Sequence, residues 1–199
     1  TLFHRCSELA YQLLTKDGPV VRRHELEQLA RNETAIHRIV DQAFRDEYWK
    51  VGPDEEIVYN GIHLINFKSI SIYLKQLLLV DALHAPFSYE AGEKCIDERI
   101  ALYGWGGEEI TIRLGGTLDR LDTKGGVTRI IDYKTGSAKD KVAQVEALFN
   151  RESGKRNEHV FQAFYYVWLL CQRDRRGRYS PALFYTRLSD KADYDPTIQ

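Results

Sequence analysis

The sequence predicts an α+β domain, with helices first and a mixed sheet after them, and three observations predict it. Through the first 86 positions apolar residues recur at helical spacing, as in Leu2–Leu14, where Leu2, Phe3, Cys6, Leu9, Ala10 and Leu13 follow that period. From Phe87 the pattern shifts toward alternation, and Gly125-Gly126 separates two short apolar runs in the manner of a hairpin turn. Helical period then returns and one more strand-like run follows. This succession of helices, three strands, helix and strand belongs to an α+β arrangement around one mixed sheet.

Each element has its own signals. Asp17-Gly18-Pro19 ends the first helix. Helical segments follow at 22–31 and 33–49, and Gly52-Pro53 marks a loop. Residues 61–83 read as a long apolar helix that stops before Pro86. Phe87–Tyr103 contains alternating stretches, and Gly104-Trp105-Gly106-Gly107 is a turn. Segments 109–122 and Val127–Lys134 are the two strands around the diglycine. Helical spacing is expected at 139–149, and an aromatic-rich helix at 159–172, with basic loops at 151–157 and 173–178. The last strand is expected at 180–188.

The bulk numbers set limits. A chain of 199 residues, 43% hydrophobic and 29% charged, fits one globular domain spanning 1–199, with 1–86 mainly helical and 87–199 carrying the sheet. It opens Thr-Leu-Phe-His and holds no methionine, which suggests a fragment of a longer protein. No apolar run is long enough for a membrane span, and no signal peptide is visible, so no membrane partner is expected. Cys6, Cys95 and Cys171 are far apart and form no Cys-x-x-Cys, which fits reduced thiols in a cytoplasm and disfavours a zinc or iron–sulfur site. A net charge of −1 neither requires nor excludes nucleic acid.

The hairpin is where the chemistry concentrates. A two-residue Gly125-Gly126 turn pairs Lys124 with Val127, Asp122 with Arg129, and Asp119 with Asp132. Opposed residues share a face, and Lys134, two positions past Asp132, shares it too. Asp122 and Arg129 fall on the other face as an ion pair. Two opposed carboxylates repel unless something compensates, and a hard divalent cation such as Mg²⁺ or Mn²⁺ does so. Such an ion acidifies bound water and neutralises phosphate charge, and a lysine nearby stabilises developing negative charge. The alternative is that Asp119 and Asp132 flank the sheet and pair with Arg120 and Lys134 as ordinary solvated charges.

Four motifs in order carry a family resemblance. They are His4 and Glu8 in LFHRCSELA, Gly116-x-x-Asp119-Arg120, Asp132-Tyr133-Lys134-Thr135-Gly136, and Gln162-x-x-x-Tyr166. Together they resemble the PD-(D/E)XK nuclease superfamily, and most closely its RecB-like branch, which includes AddB-like exonuclease domains. The resemblance implies a restriction-endonuclease-like αβββαβ core. It implies that Asp119 and Asp132, the Tyr133 backbone carbonyl and the His4 imidazole hold Mg²⁺ or Mn²⁺, with Lys134 catalytic. Gln162 and Tyr166 would support the site or touch the nucleic-acid backbone. Glu8 would stand behind the ligands or join the metal site. Apart from the resemblance, Glu93 at the start of the first strand region could face the metal but is read as structural or supporting, and Arg120 is a further possible support of the site. Leu118 replaces the proline usual before the first aspartate. Three scattered cysteines do not supply the four that clamp an iron–sulfur cluster in some relatives.

The expected function is a metal-dependent deoxyribonuclease, an exonuclease module of a bacterial recombination or repair helicase–nuclease. Its partners would be DNA, as single strands or duplex ends, and a helicase outside this chain, since no P-loop is present. Arg151, Lys155, Arg156, Arg175 and Arg176 are candidate phosphate contacts in the two basic loops. Two other readings compete: an inactive nuclease-like domain that binds DNA or scaffolds partners, and a Mg²⁺-dependent phosphoesterase acting on a small molecule.

Overall fold

The computed structural model describes residues 1–138, 142, 144–150, 152 and 157–198. The elements run α1 (Leu2–Leu14), β1 (Val20–Val21), α2 (Arg23–Arg31), α3 (Glu33–Phe44), a π-helical turn (Arg45–Trp49), α4 (Gly61–His84), β2 (Phe87–Tyr103), β3 (Glu109–Lys124), β4 (Val127–Lys134), a 3₁₀ turn (Val145–Phe149), α5 (Glu158–Arg173) and β5 (Tyr179–Tyr185). This is the α+β order read from the sequence. Four details differ. The helix expected over 33–49 closes at Phe44 and continues only as the π turn. Of the helix expected over 139–149, the described part forms a 3₁₀ turn, and residues 139–141 and 143 lie outside the described residues. The last strand stops at Tyr185, and 186–188 are turn. The two-residue β1 has too short a pattern to be read from sequence.

The five strands form one sheet in the order β1-β2-β3-β4-β5. β1 with β2 and β3 with β4 are antiparallel. Thr128 at the start of β4 donates to the Arg178 carbonyl just before β5 (2.8 Å), the start-beside-start arrangement of a parallel pair joined by the α5 crossover. The sheet is therefore mixed. Among the described residues no helix is long and apolar enough to cross a membrane.

The chain divides into two compact units. The first holds Thr1–Tyr89 and Tyr185–Asp195. Its core is Phe3, Cys6, Ala10 and Tyr11 of α1 with Leu26 of α2, Ile36, Val40 and Phe44 of α3, and Leu74, Leu77 and Leu78 of α4, all buried. Burial of such side chains contributes about 1.5–3 kcal/mol each. Buried Tyr11 stacks on Tyr89, with ring centroids 5.0 Å apart, and its hydroxyl donates to Asp81, so a buried carboxylate is satisfied. Asn32 caps α3 by accepting from the Ala35 N–H (3.1 Å).

The second unit holds Glu90–Phe184 and Pro196–Gln199. Ile96, Leu118, Leu121 and Ile130 of the sheet pack with Tyr166, Leu169 and Leu170 of α5. A Cβ on Gly115 would sit 2.5 Å from the Ile96 carbonyl oxygen, so the glycine lets β2 and β3 approach.

Candidate active site

The site grows from the turn. Gly125 and Gly126 have φ of +58° and +75°, the left-handed pair a two-residue hairpin needs to match strand twist. The register runs Lys124 with Val127, Asp122 with Arg129, and Arg120 with Ile131. Alternation along both strands carries Asp119, Asp132 and Lys134 to one face.

On that face a chain of polar contacts links three elements. The Asp119 carboxylate accepts from the Tyr133 backbone N–H (2.7 Å), which ties β3 to β4 at this point. Lys134 Nζ lies 2.5 Å from Asp132 Oδ2 and donates to Gln162 Oε1 (2.9 Å). Gln162 Nε2 donates in turn to the Tyr166 hydroxyl (3.0 Å). Gln162 and Tyr166, four residues apart, share one face of α5. The helix thus holds the lysine that Asp132 also engages. Burial pushes the Tyr166 phenol above its ordinary value, and the charges of Asp132 and Asp119 add to this against the Gln162 bond. Tyr166 is therefore a neutral hydroxyl at any working pH. Gly116 makes room for it: a Cβ there would stand 2.8 Å from Tyr166 Cε1.

Glu93 supplies the second acid beside Asp119. A carboxylate oxygen of each lies within 4.8 Å of the other. Glu93 has φ of +48° inside β2, a conformation that costs a non-glycine residue about 1–3 kcal/mol. Such strain in mid-strand marks a bulge that re-aims a side chain. Two hard carboxylate donors at this separation fit a divalent cation bound through oxygen. Ala91-Gly92 before Glu93 is a small-residue break within the strand pattern, but it does not single out Glu93 as the left-handed residue.

The other expected residues fall as follows. His4 lies in the first turn of α1, where its ring nitrogen bonds the hydroxyl of the capping Thr1. Glu8, one turn on, accepts from Arg5 Nη1 (2.6 Å), and Arg5 also bridges Asp46 (2.7 Å). Both belong to the first unit. Arg120 points to the face opposite Asp119. Fully buried, it donates to Asp122 Oδ2 through Nη2 (2.7 Å) and Nε (3.1 Å) and to the Tyr133 hydroxyl through Nη1 (3.2 Å). Arg129 holds the same carboxylate through Nε (3.0 Å) and Nη2 (2.9 Å). The Asp122–Arg129 pair was legible from the register, whereas the third member, Arg120, was not. Arg175 and Arg176 are exposed in the loop between α5 and β5. Arg151, Lys155 and Arg156 lie outside the described residues.

Comparison with known proteins bears on the whole chain. Among curated proteins none matches it. The family model of the PD-(D/E)XK nuclease superfamily matches residues 1–199, without a break between the two units. An acid on β3 and an acid and a lysine two apart on β4 are the residue types that family's name describes. The chain belongs to the PD-(D/E)XK nuclease superfamily.

Proposed function

We propose that this chain is a divalent-metal-dependent deoxyribonuclease that hydrolyses phosphodiester bonds at the Asp119–Asp132–Lys134 face. The observation that carries the reading is the Asp132–Lys134–Gln162–Tyr166 chain beside the Asp119–Glu93 carboxylate pair. Asp119 and Glu93 would hold the cation, and Asp132 and the Tyr133 carbonyl are further oxygen donors on β4. The resemblance adds the His4 imidazole as a nitrogen donor, with 1–199 acting as one nuclease domain. Mg²⁺ or Mn²⁺ would supply an acidified water and charge neutralisation at the phosphate.

The chain's own residues do the rest. The Lys134 ammonium, fixed between Asp132 and Gln162, is positioned to hold the attacking water and to donate to a non-bridging phosphate oxygen as negative charge develops. Gln162 keeps the ammonium from swinging to solvent, because its own amide is engaged by Tyr166. Neutral Tyr166 adds no negative charge near the phosphate. By resemblance to the RecB-like branch, the reading extends to an exonuclease working with a helicase in recombination or repair.

The test is a time course on end-labelled single-stranded, duplex and circular DNA with Mg²⁺, Mn²⁺ or chelator. Metal-dependent cleavage that Asp132→Asn abolishes, with the fold retained by circular dichroism, supports the reading. A wild-type protein inert on all substrates overturns it in favour of a scaffold. Circular DNA surviving while linear DNA is shortened identifies the exonuclease.

A further inference from the structure

Between the 3₁₀ turn and α5 lies a cavity of about 380 Å³ that the site described above does not use. Five of its seven lining side chains are aromatic: Phe149, Phe161, Phe164, Tyr165 and Trp168. Phe149, Phe164 and Trp168 are 67%, 44% and 41% exposed, so their rings meet solvent rather than core. Tyr165 and Trp168 stack at 6.4 Å with 23° between planes, and Phe149 stands edge-on to Phe161 at 6.0 Å. The Tyr165 hydroxyl donates to the Gly115 carbonyl (3.3 Å), which fixes that wall to β3.

We infer that this groove is a base-stacking platform that seats the unpaired bases of single-stranded DNA beside the active site. The inference rests on the nuclease reading and names its substrate form. Three observations select this occupant. The lining is mainly aromatic, and aromatic faces are what sequence-independent single-strand binders offer to bases. Second, the groove and the site share helix α5. Phe161 and Tyr165 each precede by one residue a member of the Gln162–Tyr166 pair, an offset of about 100° round a helix about 10–12 Å across. Third, exposed Arg175 and Arg176 follow the end of α5 nearest Trp168, where they offer positive charge to the backbone of a strand leaving the groove. Bases already stacked in a duplex gain nothing from such a surface, so the platform favours unpaired strands and frayed ends.

The test measures anisotropy of a labelled oligothymidylate and of a blunt duplex in chelator, with the full chain and with variants of comparable melting temperature. The Phe164→Leu/Trp168→Leu double variant keeps the groove apolar and α5 helical but removes two stacking faces. Single-strand affinity is expected to fall about tenfold or more, with duplex affinity within about twofold of wild type. Trp168→Phe alone should bind within about threefold of wild type, a recovery that apolar bulk would not require. If the double variant melts early, Phe149→Leu, at a position two-thirds exposed, tests the same wall. Unchanged single-strand affinity in the folded variants, or equal loss for both substrates, overturns the platform, as does self-association lost with the rings. Metal-dependent cleavage by wild type, checked against Asp132→Asn, separates the two readings. Cleavage without variant-sensitive binding sinks the platform alone. Ring-dependent single-strand binding without cleavage sinks the nuclease reading alone.

Discussion

Lys134 illustrates how one side chain's surroundings decide its work. An exposed lysine is a hydrated, mobile charge, whereas this one is largely buried and held between Asp132 Oδ2 and Gln162 Oε1. Lys134→Ala should therefore lower the cleavage rate by about 10²-fold or more with little change in substrate half-saturation, which steady-state kinetics resolve. Gly116→Ala tests the neighbour. With its Cβ at 2.8 Å from the Tyr166 ring, Tyr166 must shift and loosen Gln162, so activity should fall although no reacting group is removed. The cysteines offer a check on burial. Cys6 is fully buried and its thiol is pushed up to about 12, while Cys95 is exposed. An aromatic disulfide reagent at neutral pH should label Cys95 promptly and Cys6 only after unfolding. Lys134 could be picked out from the Asp-x-Lys spacing, but the resemblance placed Gln162, 28 positions away, only as a support of the site, and its bond to the ammonium is a product of the fold.

Strand β2 carries a conflict between stability and use at Glu93. Its φ of +48° suits glycine or asparagine, so selection for stability alone would not keep a glutamate there. Glu93→Gly should be neutral or stabilising by about 1 kcal/mol in urea melts, and should raise the Mn²⁺ concentration needed for cleavage. Strands β3 and β4 show the opposite economy on the face away from the site. Asp122, with no exposure, is gripped by Arg120 and Arg129. Asp122→Ala leaves two buried guanidiniums facing each other and should cost about 3–5 kcal/mol in urea denaturation, with Asp119, Glu93 and Asp132 untouched. The hairpin register was readable because the diglycine turn counts residues for the strands. The bulge at Glu93 was not, since one left-handed residue interrupts alternation without changing composition.

For the chain as a whole, binding of a divalent ion is the measurable link between the fold and the proposed activity. Binding to the folded state alone raises stability by RT ln(1 + [L]/Kd), about 2.7 kcal/mol at a hundredfold excess over Kd. Mn²⁺ should raise the melting temperature of wild type, and Asp119→Ala should lose most of that rise, a readout independent of cleavage. The family match over 1–199 embraces both compact units.

Composition, period and the Gly125-Gly126 turn were enough to determine the element order, the α+β class, the hairpin register and the face that gathers Asp119, Asp132 and Lys134. These depend on local geometry: a helix repeats every 3.6 residues, a strand every two, and a tight turn leaves one register. Tertiary structure alone decided that Glu93 turns toward Asp119, that Arg120 joins Asp122 on the far face, and that Gln162 clasps Lys134. It also decided that a ring of aromatic side chains on α5 stays open to solvent instead of entering the core. Those outcomes depend on where a bulge falls and how a helix rolls against a sheet, which no short stretch of sequence encodes.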